Sequence, residues 1–181
     1  MYKIAALMAL LGSPALAINL EIDVAGAANG TITIKMRDDI APIHVGQIVT
    51  LALAGAYDGV VFHRVIDGFM AQTGDVEFGK VGGDLTAAGT GASLLPDLAA
   101  EFSDEPFARG TVGMARAQSP DSANSQFFIM FEPGDFLNGQ YTVVGEVTSG
   151  LEVLDAIKRG EGQSGSVSGE PDVMTAVRVT E

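Results

Sequence analysis

Cysteine is absent from the 181 residues. Without thiols the chain has no disulfide, no thiolate nucleophile and no thiolate metal site, and an oxidising compartment does it no harm. Histidine is scarce: only His44 and His63 occur, neither with a carboxylate or a second histidine at ligand spacing, so hydrolytic triads and zinc sites lack their parts. Positive charge is also short, with ten Lys plus Arg against 23 Asp plus Glu and a formal charge of -13. Such a surface repels phosphate backbones and anionic lipid, which argues against nucleic acid as a partner and leaves solubility as the role of the acidity. No apolar run reaches membrane-spanning length, so membrane insertion is not expected. Cofactor motifs are missing too. The stretch from Gly82 to Gly91 is followed by no Gly-Lys-Ser/Thr and lacks the dinucleotide spacing, so it reads as a loop whose backbone lies close to a ligand. Asp121, Glu132 and Asp135 fall in loop-like sequence and read as solvated turn residues, not as an acid/base pair.

What is present has ordinary globular proportions, 47% apolar and 18% charged, enough for one core and one domain. The chain begins Met1-Tyr2-Lys3, continues with an apolar run from Ile4 to Leu11, and then reads Gly12-Ser13-Pro14-Ala15-Leu16-Ala17. A positive charge, a short apolar stretch and Ala15-x-Ala17 form the three-part pattern of a secretory signal over 1–17, with cleavage after Ala17 and a mature domain of 18–181. Beyond it, short runs alternate apolar and polar positions: Leu20 to Val24, Thr31 to Met36, Val60 to Ile66, Thr111 to Arg116, Gln126 to Phe131, Thr142 to Val147 and Val173 to Val179. Runs of this length, rich in Val, Ile, Thr and Phe and bounded by Gly, Pro, Asp and Asn, predict strands and a mainly β protein. Helical spacing governs Ile40 to Ala54, with Pro42 near its start and Gly55 past its end, and a second helix is predicted from Leu151 to Lys158. The glycine-rich stretches Gly79 to Gly91 and Gly160 to Gly169 read as surface loops within a single domain. His44 falls in the first helix, as a surface or packing residue. His63, on the opposite strand face from Arg64, reads as a structural histidine with its hydrogen bonds satisfied.

One cluster is unusual. Residues 62–75 read F-H-R-V-I-D-G-F-M-A-Q-T-G-D, setting a cation at Arg64, large apolar groups at Phe69 and Met70 and an amide at Gln72. Residues 113–116 read G-M-A-R, 125–131 read S-Q-F-F-I-M-F and 136–145 read F-L-N-G-Q-Y-T-V-V-G. Any one of these residues alone would pass for a surface charge or ordinary core, but jointly they resemble the signature segments of the cyclophilin family of peptidyl-prolyl cis/trans isomerases. The resemblance runs from about Glu21 to the C-terminus with order and spacing retained. It implies a closed eight-stranded antiparallel β-barrel capped by two helices, with the active groove on its outer surface. Arg64 takes the position of the catalytic arginine, and Gln72 that of the polar residue holding it and the substrate backbone. Phe69, Met70, Phe128 and Leu137 match the proline pocket, while Ala115 and Arg116 match the strand that binds the peptide main chain. Phe136 stands where the best-known members carry Trp, Tyr141 where they carry His and Arg116 where they carry Asn.

The activity so implied is acceleration of X-Pro bond rotation in unfolded or flexible polypeptides by a monomer that needs no cofactor or metal. Cyclosporin A would bind weakly, because Phe136 has no indole N–H. The alternative is a proline-peptide-binding chaperone module of low isomerase activity; a lipocalin-like carrier would instead need strands around a wide cavity. A short secretory signal without a lipid-attachment cysteine fits the periplasm of a Gram-negative bacterium, or secretion.

Overall fold

The computed structural model describes residues 17–181, so the signal segment expected over 1–17 lies, but for Ala17, outside the described residues. Among the described residues nine strands form one sheet: β1 (Asn19–Ala25), β2 (Gly30–Met36), β3 (Val60–Val61), β4 (Arg64–Ile66), β5 (Met70–Thr73), β6 (Thr111–Met114), β7 (Phe127–Met130), β8 (Val143–Ser149) and β9 (Val173–Thr180). Every ladder is antiparallel, in the order β3-β9-β1-β2-β8-β6-β7-β5-β4. Alternation sets the register. Leu20, Ile22 and Val24 of β1 and Ile32, Ile34 and Met36 of β2 are all buried on one face, with Leu20 opposite Ile34 and Ile22 opposite Ile32.

The expected closed eight-stranded barrel is corrected to a nine-stranded, curled half-barrel. The run Val60 to Ile66, which reads as one strand, is divided at Phe62 and His63 because its two halves take different partners: β3 pairs with β9 and β4 with β5. These halves form the two edges of the sheet, and no ladder joins them. Helix α1 (Pro42–Leu53) packs against β9, and α2 (Leu151–Ala156) against β2. Pro42 opens α1 where an N–H has no helical partner to lose. No neighbouring side chain caps the helix. The Glu101 carboxylate instead accepts from the N–H groups of Ile43 (3.1 Å) and His44 (2.9 Å) and meets His44 Nδ1 at 2.6 Å. His44 is therefore a fully buried packing residue.

Two apolar clusters occupy opposite faces of β4–β7. Val65, Ala71, Val112, Met114, Phe127 and Ile129 point into the main core with the inner faces of β1 and β2. Met70, Phe128 and Met130 point outward and join Phe107, Leu137 and Val143 in a smaller cluster, with Phe69, Ala115 and Tyr141 packed around it. Gly113 makes this second cluster possible: a Cβ there would lie 2.5 Å from Phe107 and 2.6 Å from Phe128, whose rings stack with centroids 5.7 Å apart.

Candidate active site

The outward faces of β4–β7 form the floor of a groove. The β4–β5 ladder sets Arg64 directly opposite Gln72, and the β5–β7 ladder sets Gln72 opposite Phe128. Period-two geometry therefore puts Arg64, Gln72 and Phe128 side by side on one face. All ten residues singled out in the sequence, Arg64, Phe69, Met70, Gln72, Ala115, Arg116, Phe128, Phe136, Leu137 and Tyr141, line a single open cavity of about 270 Å³. Met70, Phe128 and Leu137 are buried and form its bottom; the Asp135–Leu137 3₁₀ turn also carries Phe136, 66% exposed, to the rim. There its ring leans on Phe69, with centroids 5.5 Å apart.

Arg64 is held by neutral groups only. Its Nε donates to the Ser164 carbonyl (3.0 Å) and its Nη1 to Gln72 Oε1 (3.1 Å). A guanidinium has five N–H donors, so three remain for a ligand. Among the described residues no carboxylate pairs with Arg64. Burial draws its pKa below the usual value, opposed by Tyr141, but an arginine stays charged throughout the physiological range. Gln72 in turn donates from Nε2 to Gln126 Oε1 (2.9 Å), and Gln126 from Nε2 to the Gly91 carbonyl (2.8 Å). The relay runs in one direction, from cation to backbone oxygen, and leaves each amide oxygen occupied by a donor.

Arg116 closes the other side. Its guanidinium carbon lies 4.5 Å from the Tyr141 ring centroid, and it donates to the carbonyls of Gln140, Ala117 and Gln118. Beyond Arg116 a second cavity of about 230 Å³ shares Gln72, Ala115 and Arg116 with the first and is also lined by Gly91, Ser125 and Gln126. The two together offer a continuous track for an extended chain.

The sequence reading passed over three contributors. Gln126 alternates with Phe128, so its outward direction was legible from the period alone. Asp75 is fully buried, and its Oδ1 accepts from Glu77 and Phe78 N–H and its Oδ2 from Gly89 and Gly91 N–H. Burial disfavours its charge, but the four donors outweigh that and hold its pKa below the usual carboxylate value. Asp75 thereby fixes the glycine-rich loop that presents the Gly91 carbonyl to Gln126. The third contributor, the Ser164 carbonyl, is a backbone group and carries no residue signature. His63 departs from expectation: it is buried, yet both ring nitrogens lack a hydrogen-bond partner among the described residues, and burial lowers its pKa.

The profile of the family described as "Cyclophilin type peptidyl-prolyl cis-trans isomerase/CLD" matches residues 19–179. A probable peptidyl-prolyl cis-trans isomerase of Brucella suis biovar 1 is 59% identical over 151 residues, covering 82% of this chain and 77% of the relative. Peptidyl-prolyl cis-trans isomerase B of Escherichia coli K12 is 35% identical over 175 residues, covering 84% and 96%. The fold is shared with a cyclophilin type peptidyl-prolyl cis-trans isomerase of Cryptosporidium parvum, at a TM-score of 0.77 and 23% identity over 91% of this chain and 98% of that one; the same protein was also solved in the presence of the dipeptide Ala-Pro. With match, relatives and fold in agreement, the chain belongs to the cyclophilin-type peptidyl-prolyl cis-trans isomerases.

Proposed function

We propose that the groove binds a proline-containing segment of another polypeptide and that Arg64 lowers the barrier to rotation of its X-Pro bond. A planar X-Pro amide faces a barrier of about 18–20 kcal/mol and takes tens to hundreds of seconds to isomerise. No covalent bond is made or broken. When the amide twists, resonance is lost and the proline nitrogen regains a lone pair that accepts a hydrogen bond. A guanidinium N–H aimed at that nitrogen stabilises the twisted state more than either planar isomer, which is the condition for catalysis.

The observation that carries this reading is a guanidinium clamped by two neutral acceptors at the edge of an apolar cavity. A carboxylate clamp would cancel the charge that the twisted nitrogen must see. Phe69, Met70, Phe128 and Leu137 supply an apolar seat for the pyrrolidine ring, so rotation has a fixed end, while the residue before proline swings beside Gln72 and Ala115. Tyr141 and Arg116 form the opposite wall.

A prolyl-peptide isomerisation assay on residues 18–181 tests the proposal. Arg64→Ala is expected to lower the rate about 10²–10³-fold, the size of losing one transition-state donor, with the melting temperature nearly unchanged. Arg64→Lys is expected to be poor as well, because an ammonium does not reproduce the planar fork. An unaltered rate in a folded Arg64→Ala protein would remove Arg64 from the mechanism and favour a peptide-holding role for the groove. We also infer export: the pattern ending in Ala15-Leu16-Ala17 supports a secreted or periplasmic protein beginning at Ile18, and mass spectrometry of the exported form finding Met1 retained would refute it.

A further inference from the structure

The glycine-rich segment 160–169, which reads in the sequence as a mere surface loop, does not lie free. β4 is an edge strand, and its outer edge would present unpaired N–H and C=O groups. The segment covers that edge. Gly160 N donates to the Val65 carbonyl (2.8 Å), Val65 N to the Gly165 carbonyl (2.7 Å) and Val167 N to the His63 carbonyl (3.1 Å). Glu161 N donates to the Ser166 carbonyl (2.9 Å), folding the segment back on itself. Its flanks are tied as well. Lys158 Nζ donates to the Ser168 (2.8 Å) and Glu170 (3.2 Å) carbonyls, and Arg159 Nε to Asp67 Oδ1 (3.0 Å).

We propose that the Ser164–Gly165 turn within this segment is a positioning element of the active site, whose Ser164 carbonyl sets the direction in which Arg64 presents its free N–H groups. The inference rests on Arg64 being the donor to the twisted amide. The geometry that carries it is a clamp with jaws from the two sides of β4. Gln72 holds Nη1 from β5, and Ser164 holds Nε from the loop on the opposite side. One hydrogen bond leaves a planar fork free to turn about it; two, to different nitrogens, fix its plane. Gln72 alone therefore does not orient Arg64, and the second contact comes from a residue 100 positions away in sequence.

Glycine lets the loop come this close. Gly165 has a φ of +68°, and a Cβ there would strike Ile66 Cγ1 and crowd the Val65 carbonyl at 3.0 Å. Gly162, in the same loop with a φ of +59°, faces nothing within 4 Å. The two glycines thus separate an effect on the clamp from an effect on the loop in general.

The test is a double-mutant cycle on the mature chain with a proline peptide, reading kcat and KM separately and melting temperature alongside. Gly165→Ala should lower kcat about ten-fold, as misplacement of a reacting group does, with KM within about two-fold. In the Arg64→Ala background the same substitution should lower the rate no further, since the group it misplaces is gone. Gly162→Asn, which tolerates the left-handed backbone, should leave kcat unchanged. A Gly165→Ala loss that recurs in full on Arg64→Ala, or no loss in either background, overturns the positioning role and leaves Arg64 catalysis standing; a rate unaffected by Arg64→Ala itself overturns that underlying reading. Should Gly165→Ala not fold, proton exchange at the Arg64 Nε–H in the unmutated protein decides. Slow exchange is expected from the bond to Ser164, and exchange as fast as for a solvated arginine refutes it.

Discussion

Strand β7 places two chemistries back to back. Phe127 and Ile129 face the main core, where the inner faces of β1, β2 and β6 bury them completely. Phe128 and Met130 face the smaller cluster, and Phe128 also lines the open groove under Arg64. The inner face has partners on every side and its work is stability. The outer cluster packs Phe107 and Val143 beneath it but leaves one side open to the groove. Neighbouring residues of one strand should therefore fail in different ways when truncated.

The largest expected effect on the core side is that of Ile129→Ala. Removing a fully buried Ile should cost about 2–5 kcal/mol of stability, while the folded fraction keeps its isomerisation rate. Urea denaturation with activity normalised to folded protein checks this; a large rate loss in the folded fraction would show that the two faces are coupled.

Asp75→Asn comes next and sharpens the comparison at the loop between the faces. An amide NH₂ would point at N–H groups from which the carboxylate now accepts hydrogen bonds, at about 1–3 kcal/mol for each donor left unpaired. The expected outcome is a clear fall in melting temperature and a smaller fall in rate than that of Arg64→Ala, because Gly91 reaches Arg64 only through Gln126 and Gln72.

On the groove side, Phe136→Trp adds an indole N–H and contact area at an exposed rim. Cyclosporin A inhibition should tighten at least about ten-fold, or about 1.4 kcal/mol, with turnover of a short proline peptide held within about a factor of three. Equal inhibition constants for the two forms would take position 136 out of the affinity.

The smallest effect concerns pH. Burial holds the His63 pKa below its unfolded value of about 6.5, so in the window just below pH 6.5 the unfolded chain takes up a proton more readily than the folded one. Stability should thus fall as pH is lowered through that window, by no more than about 1.4 kcal/mol per pH unit. His63→Phe should flatten the slope; identical slopes in the two proteins would show that His63 does not set it.

Legibility in the sequence followed the same division. Period-two alternation revealed the strands with apolar inner faces, and helical spacing found both helices to within a few residues. β5 escaped it, because Met70-Ala71-Gln72-Thr73 sets apolar residues on both faces. The division of Val60 to Ile66 was hidden for a different reason: it depends on which distant segments, β9 or β5 and 160–169, arrive alongside. At the site, side chains with distinctive chemistry could be assigned through family resemblance. The carbonyls of Gly91 and Ser164 could not, since any residue supplies one.

The most direct test crosses the two faces in one experiment: isomerisation rate and melting temperature of Arg64→Ala and Ile129→Ala side by side. Arg64→Ala should lose about 10²–10³ in rate with its melting temperature kept, and Ile129→Ala the reverse. An Arg64→Ala protein that isomerises proline peptides at the unmutated rate would contradict the account.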